Sequence, residues 1–149
     1  MTDEGYDALL ERASSERHEP LFVCRTGDGA IVGFFNLSEI IRGGLQSAFL
    51  GYGSVVAHAH HGYMGEGIQL VLAHAFEDLG LHRIEANIQP GNHRSIALVR
   101  RAGFVREGFS ERYLLIDGRW RDHERWAIRV EGWRSGRVAA QSGAIASAD

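Results

Sequence analysis

The sequence predicts a single α+β domain of the mixed α/β kind, a mostly antiparallel sheet with one parallel strand pair, and three observations carry that reading. Two turn sequences, Gly27-Asp28-Gly29 and Asp117-Gly118, each separate runs of strand-like residues, the mark of an antiparallel hairpin. Two further stretches set apolar residues at helical spacing, Ile68, Leu72, Ala75, Phe76 and Leu79 in one and Ile96, Val99 and Ala102 in the other. The first of these lies between two more strand-like runs. A helical crossover returns the second strand parallel to the first by the usual right-handed connection.

Taken in order, Glu4–Arg17 reads as a helix with Tyr6, Leu9, Leu10 and Ala13 on one side, and Pro20 closes it. Leu21–Arg25 and the run AIVGFFNLSEI that begins at Ala30 form the first hairpin. Gln46–Ala57, rich in aromatic and β-branched residues, is the third strand. It leads into the stretch His58–Leu79, a His- and Gly-rich loop running straight into an amphipathic helix that Gly80 ends. His82–Gln89 alternates, with Ile84, Ala86 and Ile88 on one face and Arg83, Glu85 and Asn87 on the other, and is the fourth strand. Pro90-Gly91-Asn92 turns the chain, Asn92 caps the next helix, and Gly103 ends it. Phe104–Ile116 and Arg119–Val130 make the closing hairpin.

A chain of 149 residues, 44% apolar and 23% charged, is enough for one domain with a real core, expected over residues 1–134. The sequence after Trp133 lacks large apolar anchors, so residues 135–149 are expected to be a flexible tail. No apolar run reaches the roughly 20 residues that span a bilayer, and the acidic, polar N-terminus carries no export signal, so the expectation is a cytoplasmic protein with no membrane partner. Cys24 stands alone in a strand-like run, as a buried spectator would. The formal charge of −3 argues against nucleic acid as a partner. All sixteen basic residues are Arg, and where they cluster, at Arg94, Arg100, Arg101 and Arg106, they offer planar recognition of phosphate or carboxylate beside the blander role of a solvated helix face.

The stretch from His58 is the candidate binding element. The first turn of a helix leaves backbone N–H groups unpaired at the positive end of the macrodipole, and a Gly there lets an anion approach. A metal site on His58, His60 and His61 is the competing reading. No Cys or carboxylate stands nearby at ligand spacing, so no metal is expected.

The run GYGSVVAHAHHGYMGEGIQLVLAHAFEDLGLHRIEANIQPGNHRSIALVRRAGFVREGFSERYLLIDGRWRDHERWAI resembles the GNAT N-acetyltransferase superfamily. More narrowly it is similar to the branch of ribosomal-protein alanine N-terminal acetyltransferases. The resemblance covers about Leu21 to Trp133, with the GYM loop, FEDLGLHRIEA, QPGN followed by Ser95, AGF, REGF and DGRWRDHERWA in family order. It implies a GNAT-like acyl-CoA N-acyltransferase fold, acetyl-CoA as co-substrate, no metal, and direct attack of a primary amine on the thioester through a tetrahedral intermediate. The acceptor it implies is a protein N-terminus, with a small-molecule amine as the alternative and a non-catalytic acyl-CoA-binding module as the rival from another class.

By that resemblance His60, His61, Gly62, Tyr63, Met64 and Gly65 offer main-chain N–H groups to the CoA pyrophosphate, although Ala59, His60 and His61 stand where the family carries Gln or Arg and Gly. Main-chain groups near Gly53, Ser54 and Val55 pair with pantetheine, and Asn92 and Ser95 meet the reacting end. The superfamily's usual leaving-group tyrosine position holds Val99, which makes Ser95 the candidate to hydrogen-bond the departing sulfur. Glu85 and His58 are the candidate proton acceptors, with water as the alternative. The chain begins where the resemblance leads one to expect a preceding strand and helix. The expectation is therefore an open acceptor groove and a bare strand edge, which a partner chain, a homodimer included, would cover.

Overall fold

The computed structural model describes residues 6–9, 18–54 and 62–137. Their strands form one seven-stranded sheet in the order β1-β2-β3-β4-β5-β7-β6. β1 is Tyr6–Leu9, β2 His18–Arg25, β3 Ile31–Ile41 and β4 Ser47–Ser54; β5 is Arg83–Ile88, β6 Val105–Ile116 and β7 Arg119–Arg129. All neighbours pair antiparallel except β4 and β5, the one parallel pair. The mixed sheet is thus the expected one.

The first segment differs from expectation. Tyr6–Leu9 is not helical but pairs as an antiparallel strand with Phe22–Arg25. The free edge of β2 presents a row of backbone donors and acceptors, and satisfying them outweighs a helical spacing of a few apolar residues that no neighbour demands. The edge of β2, expected bare, is therefore covered along these four residues. The remainder of the expected helix, residues 10–17, lies outside the described residues.

The β2–β3 hairpin is closed by Arg25, whose guanidinium donates twice to the Asp28 carboxylate at 3.0 and 2.5 Å, while Asp28 Oδ1 also accepts from the Ala30 N–H at 3.1 Å. These donors hold the Asp28 carboxyl well below the usual carboxylate range. Alternation then sends Leu21, Val23, Phe35 and Leu37 into the core, and the register shift opposite Val23 and Cys24 lets Val32 join them.

α1 (Tyr63–Ala73) crosses from β4 to β5 and ends in a π-helical turn, His74–Asp78. It buries Ile68, Val71, Leu72, Ala75 and Phe76 on the sheet. Close approach is possible because residue 67 is Gly. A Cβ there would stand 2.9 Å from both Phe35 and Val23. In the π-helical turn the buried His74 ring lies 2.9 Å from Glu19 of β2 and 2.8 Å from Asp78, tying the end of the crossover to the sheet.

α2 (His93–Ala102) is capped by Asn92, which accepts from the Ser95 N–H at 3.2 Å, and stops at Gly103 with φ 103°. β6 and β7 turn at Asp117 and Gly118, both with positive φ, as an Asp-Gly hairpin requires. Residues 130–137, expected partly as tail, form a further helix, α3. Its Trp133 is buried against Phe76 with ring centroids 5.3 Å apart. The expected domain boundary at residue 134 falls inside this helix, and residues 138–149 lie outside the described ones.

Candidate functional site

The parallel pair positions the site. Its register runs Ser47–Arg83, Ala48–Ile84 and Phe49–Glu85 and ends there, although β4 continues to Ser54 and β5 to Ile88. Past Phe49 the two strands part. A cavity of about 500 Å³ opens beyond that point, bounded by the end of β4, the first turn of α1 and one face of α2.

The first turn of α1 begins at Gly62, with φ 76° and ψ 5°. That left-handed conformation costs Gly little, and among the described residues no side chain caps the turn. Among the described residues nothing stands within 4 Å of where a Gly62 Cβ would be. The N–H groups of Tyr63, Met64 and Gly65 therefore head a helix whose dipole favours an anion, at the wall of a cavity that these residues line.

At the opposite wall, Ser95 stands in the first turn of α2. Its hydroxyl is hydrogen-bonded to the hydroxyl of Tyr52 on β4, and Tyr52 also donates toward the Ser95 carbonyl at 3.3 Å. Burial pushes the Tyr52 phenol above its ordinary range, only partly offset by the Ser95 contact, so it stays protonated at neutral pH. The Tyr52 ring is held by Phe35, 5.5 Å away between centroids. Two hydroxyls in contact can pass a proton in either direction.

Of the residues singled out in the sequence, Ser54, Gly62, Tyr63, Met64, Gly65, Asn92 and Ser95 all line this cavity. Val55, His58, His60 and His61 lie outside the described residues. Glu85 is not brought into the cavity. Its carboxylate accepts from Arg83 at 2.9 Å and from Asn87 at 3.2 Å, on the face of β5 opposite Ile84 and Ala86. Arg83 also donates twice to Glu107, at 2.9 and 2.5 Å, so it is the charge partner of both carboxylates. Of the four clustered arginines, Arg94 and Arg101 line the cavity, whereas Arg100 stacks 5.5 Å from the Trp126 ring centroid and Arg106 lies 3.9 Å from Glu124.

Tyr52 is the residue the sequence reading missed. It sits two positions before Ser54 on the same strand, so alternation alone puts both on one face. The pairing with Ser95 spans 43 residues of sequence, and no local pattern announces it.

Comparison with known proteins gives a consistent result. The acetyltransferase (GNAT) domain family matches residues 1–105. The probable N-acetyltransferase YjcK of Bacillus subtilis is 41% identical over 123 residues, 83% of this chain and 66% of that protein. The [ribosomal protein uS5]-alanine N-acetyltransferase of Escherichia coli is 38% identical over 107 residues, 72% of this chain and 55% of that protein. This chain thus spans 66% and 55% of the lengths of those two relatives. Among solved structures, Mycobacterium smegmatis RimJ in complex with CoA-disulfide superposes with a TM-score of 0.75 at 28% identity, covering 93% of this chain and 77% of that one.

Proposed function

We infer that this chain, which belongs to the GNAT acetyltransferase family, transfers the acetyl group of acetyl-CoA to a primary amine, and that the amine is the α-amine of a protein N-terminus. The observation that carries the reading is the uncapped, Gly-led first turn of α1 facing, across one cavity, a hydroxyl pair at the start of α2. An anion seat and a proton donor that line one cavity suit a long phosphorylated thioester. The CoA complex of the Mycobacterium smegmatis relative supports the same ligand class.

In this mechanism the N–H groups of Tyr63, Met64 and Gly65 receive the pyrophosphate; the family resemblance assigns the same role to His60 and His61, which lie outside the described residues. The edge of β4 past Phe49, at Gly53 and Ser54, pairs with the pantetheine arm, and an N–H on it polarises the acetyl carbonyl; Val55, which the resemblance adds to this role, lies outside the described residues. One such donor aimed at a developing oxyanion is worth about 3 kcal/mol. The amine attacks the carbonyl carbon, a tetrahedral intermediate forms, and the C–S bond breaks. Ser95 then donates its proton to the departing sulfur, Tyr52 passes its own to Ser95, and the phenol is restored by the proton that water carries away from the amine. An α-amine has a reference pKa of about 8, against about 10.4 for lysine, so a usable neutral fraction exists near pH 7 and water can take its proton.

The similarity to the uS5-alanine enzyme supports a protein N-terminus. Calorimetry with acetyl-CoA, followed by CoA release with N-terminal peptides and small amines, tests the reading. Micromolar binding with CoA release on a peptide is the expected result. Tight binding with no release for any amine would leave a non-catalytic acyl-CoA-binding module.

A further inference from the structure

We infer that a second cleft, beside Asn92, seats the acceptor and selects an amine whose own chain carries a carboxylate over a polycation; this rests on the acetyltransferase reading above. The cleft, of about 780 Å³, lies between the Gln89–Asn92 turn and the start of β7, Arg119 to Asp122. Asn92 lines both this cleft and the cavity that holds Ser95. Whatever fills the two spaces therefore meets at the first turn of α2, where the transferred group must change hands.

The charge of the cleft is one-sided. Arg119 and Arg121 face a single carboxylate, Asp122, whose Oδ1 already accepts from the Arg112 N–H at 2.9 Å. Arg121 Nε is buried with no hydrogen-bond partner among the described residues. The guanidinium groups of Arg119 and Arg121 present planar forks of N–H donors, and a ligand carboxylate is the acceptor that matches them. Trp120 also lines the cleft and is 60% exposed, although strand alternation sends its ring to the face opposite the two arginines. A polycation would meet two guanidinium groups and the positive end of α2.

The test is equilibrium binding to the CoA-loaded protein by calorimetry, using three probes: a peptide with an N-terminal Ala followed by Glu residues, the same peptide with Lys in their place, and spermidine. The acidic peptide is expected to bind about tenfold more tightly than either other probe, with the gap narrowing at 1 M salt. Arg119→Glu with Arg121→Glu is expected to reverse the ranking and leave CoA affinity unchanged, while Lys at both positions keeps the ranking. Should the double reversal fold poorly, the exposed Arg119→Glu alone is expected to narrow the gap. Free glutamate as a fourth probe separates a small amino acid from a peptide as the carboxylate's source. Equal or tighter binding of the basic peptide or spermidine overturns the inference, as does a ranking that survives charge reversal. An intact ranking without CoA release from acetyl-CoA removes the enzymatic reading and leaves the cleft's selectivity standing.

Discussion

Replacing Tyr52 by Phe isolates the hydroxyl pair at the centre of the site. The ring keeps its place against Phe35 and only the oxygen is lost, with its contacts to the Ser95 hydroxyl and carbonyl. A net intramolecular hydrogen bond is worth about 0.5–1.5 kcal/mol. If that contribution is felt at the transition state, where Ser95 must give up its proton, the upper value is about a tenfold loss in kcat, and the KM for acetyl-CoA should hardly move. Ser95→Ala removes the donor itself and is expected to cost about 100-fold or more. On the proposed relay, in which Tyr52 acts through Ser95, the double variant should be no slower than Ser95→Ala alone, a strongly non-additive cycle. Steady-state CoA release, with thermal unfolding as a check on folding, gives all four corners. Multiplicative losses would refute the relay, and a Ser95→Ala enzyme faster than Tyr52→Phe would put the phenol directly on the sulfur.

Three other outcomes follow from the same geometry. Gly62→Asp combines a left-handed backbone position with a negative charge at the anion seat and should weaken acetyl-CoA binding at least about tenfold by calorimetry, while Gly62→Ala, which adds only the backbone cost of about 1 kcal/mol, should weaken it much less. Gly67→Ala drives a methyl to 2.9 Å from Phe35 and Val23 and should destabilise the fold by about 1–3 kcal/mol, read as a lowered Tm. The Tyr52 phenol has a raised folded-state pKa, so its contribution to stability is whole below the unfolded value of about 10 and is lost as pH rises through the folded one; denaturation against pH should show an alkaline decline that Tyr52→Phe diminishes.

Much of this architecture is legible where local pattern and tertiary demand agree. The alternation of Ile84, Ala86 and Ile88, the Asp117-Gly118 turn, and Asn92 and Gly103 at the two ends of α2 each encode their own conformation. Tyr6–Leu9 misleads because what decides its state is the unpaired edge of β2, 13 or more residues away in the chain. The helix over residues 130–137 hides for a related reason: its one deep anchor, Trp133, finds its partner Phe76 only after folding. In the site, the Gly-led turn is local and readable. Glu85 reads as a candidate base because it is a carboxylate on the fourth strand, and only the folded chain shows it engaged by Arg83 and Asn87 and absent from the lining of the cavity.

The three-residue seam between β4 and β5 has a mechanical meaning. One half of the sheet, β1 to β4, is joined to the other, β5 to β7, by few backbone bonds, and a bound ligand laid along the splayed edge would act as a stitch across the gap. Occupancy then becomes a component of folding free energy: at a ligand concentration 100 times its dissociation constant, the bound form gains about 2.7 kcal/mol, comparable with a well-packed core side chain. The lifetime of this protein in a cell would accordingly rise and fall with the supply of the molecule that fills its own seam.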